Sequence, residues 1–136
     1  MPDVNGLWSG EYRYAVLPIV VQFTATLRQS GITVVGTTLE ENKLVETGPP
    51  ELTAELLGEH SGTLISFTKI YLPETRIQQP PVIYQGETDA DCARITGSWN
   101  FGEFHRQVHG TFFMNRVSDR AGRSAASRRR KLPTEE

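Results

Sequence analysis

Glycine recurs inside segments of this sequence that otherwise have the alternating pattern of β-strands. Six such segments each contain one interior glycine, at Gly10, Gly36, Gly58, Gly86, Gly97 and Gly110. Glycine weakens a strand because it loses backbone entropy and adds no packing surface, so its recurrence indicates sharp bends or close backbone approach. A sheet that curls until its edges meet needs bends on most strands, whereas a sandwich of open sheets has less reason to repeat them. The glycines therefore predict a closed barrel.

Apolar and polar residues alternate with a period of two through most of residues 6–117, which predicts half-buried strands. The pattern gives eight strands: Leu7–Tyr14, Ile19–Gln29, Ile32–Glu40, Leu52–His60, Thr63–Tyr71, Val82–Thr88, Arg94–Phe101 and His109–Val117. Only the segment PPELTAELLGEH, residues 49–60, could instead form a short helix. Connections after the second, fourth and sixth strands are short, and those after the third, fifth and seventh are long. We therefore expect an all-β, antiparallel, up-and-down eight-stranded barrel with tight hairpins at a closed end and longer loops at an open end.

The charge distribution divides the chain into two parts. A length of 136 residues suits one domain with a single core. The net charge of −2 hides an excess of three basic residues from Ser118 onward, which leaves a charge of −5 on residues 1–117. We predict a barrel domain over 1–117 and a disordered basic tail over 118–136. The run RRRK at 128–131 could contact nucleic acid weakly, but a solvated tail is the favoured interpretation, and nucleic acid is otherwise not an expected partner.

Several sequence features bear on location. No apolar run approaches the roughly 20 residues that span a bilayer, so we expect no membrane insertion. The sequence MPDVNG at the N-terminus does not have the pattern of a secretory signal. Cys92 is the single cysteine and cannot form an internal disulfide. The expected location is cytoplasmic, with a secreted mature form as the alternative.

The first and last strands carry a motif with a known counterpart. Gly6, Leu7 and Trp8 form a G-x-W sequence on the first strand, and Arg116 lies near the end of the last strand. With eight meandering strands, this resembles the calycin superfamily, which includes lipocalins, fatty-acid-binding proteins and avidins. The resemblance implies that Trp8 packs across the closed end beneath Arg116 as a barrel-closing structural pair. The chain lacks the other lipocalin motifs and the C-terminal helix, whereas avidin-like members are nearer in length and in their glycine-containing strands. The polar residues with which avidins hold biotin have no counterparts here, so biotin binding is not inferred.

Side-chain parity predicts which residues line the barrel. If Trp8 points inward, alternate residues of every strand do so. On the fifth strand, the set that contains Lys69 is favoured over the set that contains Leu64, because it has more apolar area. The expected closed end is apolar: Leu27, Ile32, Val34, Ile65, Phe67, Ile95 and Met114. The open half collects all four tyrosines and a cation, and its expected ligand-binding residues are Tyr12, Tyr14, Lys69, Tyr71, Tyr84, Trp99 and Phe101.

Aromatic walls with polar tips and one cation suit a small aromatic or anionic ligand. The predicted function is therefore a small-molecule-binding barrel without a cofactor. The alternative is that these side chains simply fill the barrel, with Lys69 extending to solvent.

Two other classes of function remain open. Apolar residues predicted to face outward suggest a self-associating barrel, or homo-oligomer: Val20, Val35, Leu39, Leu57, Ile83 and Phe113. A small isomerase or cyclase could use Tyr14 and His105 as acid and base. No metal site is predicted, because the four-residue spacing of His105 and His109 falls on a loop that enters a strand. His60, at a tight hairpin, is expected to be exposed, and Cys92 is expected to be either structural or incidental.

Overall fold

Eight antiparallel strands form a closed barrel in the computed structural model, which describes residues 2–43, 48–75, 80–103 and 106–118. The strands are β1 (Gly6–Tyr14), β2 (Val20–Ser30), β3 (Thr33–Glu41), β4 (Glu51–Ser61), β5 (Leu64–Tyr71), β6 (Val82–Thr88), β7 (Arg94–Asn100) and β8 (His109–Ser118). Each strand pairs with the next, and β8 pairs with β1 to close the barrel. The predicted up-and-down barrel is confirmed, with every strand boundary within one residue of its predicted position.

The hairpins are distributed as the loop lengths predicted. Two-residue turns join β2 to β3 and β4 to β5, and their first residues, Gly31 and Gly62, have φ angles of 60° and 62°. Residues with a side chain adopt this left-handed conformation rarely, so glycine suits both turns. These turns lie at the closed end, where β1 also begins and β8 ends, since Leu7 pairs with Ser118. The longer connections all lie at the open end.

Some strand glycines mark places where neighbouring strands approach too closely for a side chain. Gly86 and Gly97 are register partners on β6 and β7. A Cβ atom built on Gly97 would collide with the main-chain oxygen of Gln85, and one built on Gly110 would collide with that of Arg13. Glycine at these two positions therefore allows the backbones of neighbouring strands to approach closely. Of the two explanations for the recurrent glycines, sharp bends and close approach, the second applies here.

The strand predicted over Leu52–His60 is confirmed as β4, so the helical alternative for residues 49–60 does not apply; the one helical element described is a single 3-10 turn at Pro73–Thr75. Two expectations were wrong. Ile32 is 54% exposed rather than part of the apolar lining, because it lies in the turn before β3 begins. His60 is buried rather than exposed, and its Nδ1 lies 3.0 Å from the side-chain oxygen of Gln29.

The inward-facing residues form a continuous core. The parity of β5 is as predicted, since Ile65, Phe67 and Lys69 are buried while Leu64 is exposed. At the closed end, Leu27, Val34, Ile65, Ile95 and Met114 pack with Trp8 in an apolar cluster. Within the four described ranges, no helix is long and apolar enough to cross a membrane. The tail predicted for 118–136 lies outside the described residues from 119 onward, as does His105.

Candidate functional site

The open half of the barrel contains a compact group of polar and aromatic side chains, here called the open-half cluster. It comprises Tyr12 and Tyr14 on β1, Glu40 on β3, Lys69 and Tyr71 on β5, Tyr84 on β6, Trp99 on β7 and Phe101 just after it. All seven residues that the sequence suggested for this region are therefore on its inner side. Glu40 is the member that sequence reasoning missed.

Glu40 is the centre of the cluster's hydrogen bonding. Its carboxylate accepts a hydrogen bond from Lys69 Nζ at 2.8 Å through one oxygen. Its other oxygen accepts hydrogen bonds from the hydroxyl groups of Tyr12, at 2.7 Å, and Tyr71, at 2.8 Å. Glu40 is 2% exposed and Lys69 is 3% exposed, so this is a buried ion pair. Three donors satisfy the carboxylate, as a buried charge requires.

Aromatic rings surround the ammonium group of Lys69. Its Nζ lies 4.6 Å from the ring centre of Tyr12, 4.7 Å from that of Tyr71 and 5.5 Å from that of Tyr84. These distances are within the range of cation–π attraction. Burial alone would lower the pKa of Lys69, but electrostatic interactions with Tyr84, Tyr71 and Glu40 outweigh burial and raise it. Lys69 is therefore a charged group, with no lone pair available for nucleophilic chemistry.

The tyrosines of the cluster keep their protons. Burial raises the pKa of Tyr12, and the neighbouring Tyr71 and Glu40 raise it further. Burial also raises the pKa values of Tyr71 and Tyr84, against the opposing effect of Lys69. Tyr14 shifts in the same direction for the same main reason. These hydroxyl groups therefore act as hydrogen-bond donors and acceptors rather than as bases.

Edge-to-face aromatic contacts fill the space around the polar groups. The ring centre of Trp99 lies 4.9 Å from that of Tyr14, 5.8 Å from that of Tyr12 and 5.9 Å from that of Phe101. Trp99 also donates a hydrogen bond from Nε1 to the carbonyl oxygen of Arg13 at 3.1 Å. This packing fixes the ring of Trp99 in the open half.

The remaining space beneath the cluster is small. An internal cavity of about 10 Å³ is lined by Phe23, Ala25, Thr38, Glu40, Leu56, Phe67, Lys69, Tyr84 and Met114. This volume has room for about one water molecule, whereas ligand sites are typically roughly 300 Å³ or larger. Thr38 Oγ1 is buried at this cavity and has no hydrogen-bond partner in the described part of the chain. In this conformation, side chains fill the barrel, and Lys69 turns inward rather than to solvent.

Glu40 could have been found from strand parity. Alternation along β3 from the inward-facing Val34 places Gly36, Thr38 and then Glu40 on the same side of the strand. The signal that could have identified it is a second charge of opposite sign at an inward position, namely Lys69 on β5.

At the closed end, Trp8 and Arg116 lie against each other. Trp8 is fully buried, and the guanidinium carbon of Arg116 lies 5.1 Å from its ring centre. The two residues are register partners on β1 and β8. Arg116 also donates a hydrogen bond to the carbonyl oxygen of Asp3, and Trp8 Nε1 donates one to that of Val4 at 3.0 Å. The segment before β1 is thereby fixed across the closed end.

The structure also bears on metal binding, on the thiol of Cys92 and on the suggested acid–base pair. Among the residues that it describes, no group of three or more histidine, cysteine or acidic side chains could hold a metal ion. Cys92 is a buried free thiol. The suggested acid–base pair of Tyr14 and His105 cannot be placed, because His105 lies outside the described residues. Comparison of the sequence with models of known protein families and with curated proteins finds no match.

Proposed function

We propose that this chain is a calycin-like barrel that binds a small aromatic molecule in its open half, without a cofactor. The barrel topology and the contact between Trp8 and Arg116 support the calycin-like assignment. The single observation that carries the functional proposal is the buried pair of Glu40 and Lys69 with its tyrosine partners. The one free thiol, Cys92, supports a reducing location such as the cytoplasm.

The energetic cost of the ion pair is the reason to connect it with function. Desolvating two charges costs several kcal/mol per ion, and apolar residues of similar volume are often as stable or more stable. The closed half of the same barrel is filled in that apolar way by Leu27, Ile65, Ile95 and Met114. A polar cluster on the side of the longer loops is therefore better explained by recognition than by stability.

The charge of the cluster favours an aromatic ligand over an anionic one. Glu40 already neutralises Lys69, so an anion would gain little from this lysine. The rings of Tyr14 and Tyr71 are only partly buried and could stack against an aromatic ligand at the mouth. Because the internal cavity is only about 10 Å³, binding must displace at least one side chain.

The positions of the two tryptophans allow a direct binding test. Trp99 lies in the open half, and Trp8 lies at the closed end. Native mass spectrometry of the purified protein should first reveal a co-purifying small molecule. Benzamide and benzoate, which have the same shape but differ in charge, then serve as matched fluorescence probes.

We expect benzamide to change the tryptophan emission of the wild type and of Trp8→Phe, but not that of Trp99→Phe. Benzoate should bind more weakly than benzamide, because Lys69 is already paired. The proposal fails if no small molecule co-purifies and neither these two probes nor the aromatic amine and alcohol described below bind. Tighter binding of benzoate than of benzamide would instead support the anionic alternative.

A second candidate function is self-association through the outer face of the barrel. Val35, Leu57, Thr68 and Ile83 form a row across β3 to β6, in which Val35 is 43% exposed and Leu57 is 61% exposed. Adjacent apolar side chains at a surface favour contact with a second copy of the chain. Sedimentation at two protein concentrations should detect a dimer that Leu57→Arg disrupts. A wild type that remains monomeric at both concentrations would rule this function out.

A further inference from the structure

Lys69 occupies the kind of enclosure in which proteins bind organic ammonium ions. Three tyrosine rings lie 4.6, 4.7 and 5.5 Å from its Nζ, and the carboxylate of Glu40 lies 2.8 Å away. Aromatic faces combined with a negative charge are a recognised way to hold such a cation. Here one of the protein's own side chains occupies the site.

The small cavity limits how a ligand can enter this site. With only about 10 Å³ free, a ligand must occupy the volume of a side chain that moves away. Lys69 lies two residues before the end of β5, at the open end of the barrel. Its flexible four-carbon stem and strongly hydrated ammonium group suit it to turn outward to water. Lys69 is therefore the side chain of the cluster best suited to leave.

The charge on Glu40 then selects the ligand. Glu40 is 2% exposed, and its carboxylate would be left as an uncompensated buried charge if Lys69 moved away alone. Such a state is strongly unfavourable, so whatever replaces Lys69 must also carry a positive charge. A neutral molecule would fill the space but would leave the carboxylate unpaired.

We propose that the ligand of the open half is an aromatic amine whose ammonium group replaces that of Lys69 among Tyr12, Tyr71 and Tyr84 and pairs with Glu40. The aromatic part of the ligand lies against Tyr14 and Trp99, and Lys69 turns to solvent at the mouth. This inference rests on the proposed function and adds the charge of the ligand and the side chain that it displaces.

The first experiment compares two probes that differ in one group. Binding of 2-phenylethylammonium and of 2-phenylethanol to the full-length wild type is measured by isothermal titration calorimetry. We expect the ammonium to bind about thirtyfold more tightly than the alcohol, the ratio that corresponds to a desolvated cation–π interaction. Glu40→Gln should abolish this preference. Equal binding of the two probes, or a preference that survives in Glu40→Gln, would overturn the inference.

The second experiment tests the enclosure itself. Lys69→Ala removes three methylene groups and the ammonium, which n-propylammonium can supply. We expect this compound to raise the melting temperature of Lys69→Ala by about 5 °C at roughly ten times its Kd, and 1-propanol to raise it less. If the variant does not fold alone, it should fold only with n-propylammonium present. In the double variant Glu40→Gln/Lys69→Met the two compounds should act alike; if they also act alike on Lys69→Ala, the inference is wrong.

The outcomes separate this inference from the proposed function. Binding of benzamide or 2-phenylethanol that depends on Trp99, without a preference for the ammonium, would retain the ligand-binding function and reject the amine. Absence of binding by all these probes, with no co-purifying molecule, would reject both.

Discussion

Alkaline pH should unfold the barrel, and its buried tyrosines should ionise only as the barrel unfolds. The pKa values of Tyr12 and Tyr84 are raised by burial, and that of Lys69 is raised by its neighbours, which include Glu40. The folded protein therefore keeps three protons that the unfolded chain releases at a pH of about 10 and above. Because the native state then binds more protons, the free energy of unfolding falls as the pH rises. The stabilisation from these groups is complete below a pH of about 10 and is lost above it.

The size of the effect follows from the number of buried groups. Tyr12, Tyr84 and Lys69 are each at least 96% buried, whereas Tyr14 and Tyr71 are partly exposed, so water screens their contribution. Each proton held only in the folded state lowers the free energy of unfolding by about 1.4 kcal/mol per pH unit. Three such groups give about 4 kcal/mol per pH unit. A domain with a stability of roughly 5–15 kcal/mol would therefore unfold within a few pH units.

The assay compares two signals along one pH titration. Circular dichroism reports the barrel, and ultraviolet absorbance reports ionisation of tyrosine; we expect the loss of structure and the ionisation of the buried tyrosines to coincide. Urea unfolding at several alkaline pH values gives the slope, which Tyr84→Phe should reduce by about a third because it removes one of the three protons. Ionisation of all four tyrosines near their usual pKa in a folded barrel would refute the reasoning. An unchanged slope in Tyr84→Phe would also refute it.

Three further predictions concern stability. Glu40→Gln leaves the charge of Lys69 buried without its partner and should lower the free energy of unfolding by about 3–5 kcal/mol. The double variant Glu40→Gln/Lys69→Met should recover much of that loss, and a double-mutant cycle from urea unfolding measures both effects. Gly97→Ala places a Cβ against the backbone of β6 and should lower the free energy of unfolding by about 1–3 kcal/mol or more. Ser98→Ala, on the exposed side of the same strand, should have little effect. Arg116→Met removes a cation over Trp8 and a hydrogen bond to the segment before β1. The free energy of unfolding should therefore fall by about 1–3 kcal/mol, and the fluorescence emission of Trp8 should change. A stability equal to that of the wild type in any of the three destabilising variants would contradict the contact on which that prediction depends.

The fold could be predicted because it depends on patterns that are local in the sequence. Alternation fixed the inward side of each strand, and the glycines and loop lengths indicated closure and the two ends. The residues that were placed wrongly lie where a strand meets a turn. Ile32 occupies a two-residue turn, in which alternation no longer determines exposure. His60 lies near a hairpin, where exposure is usual, but it continues the inward alternation of β4 and its Nδ1 lies against the side-chain oxygen of Gln29.

The centre of the candidate site depends on contacts that no local pattern shows. Glu40 and Lys69 are 29 residues apart on β3 and β5, which are separated by β4. Their approach across the interior depends on the curvature of the barrel and on the depth of each side chain. Alternation gives the side of the sheet on which a residue lies, but it gives neither that depth nor the partner. The tyrosines could therefore be assigned to the open half, whereas their shared carboxylate could not.

The position of both ends of the barrel sheet has a practical consequence. Since Leu7 and Ser118 are paired neighbours at the sealed face, a support attached through a linker before β1 or after β8 would hold the molecule by that face. The mouth would then point toward the surrounding solution. Immobilised protein should consequently remain accessible to dissolved amines, which suits surface-based binding measurements.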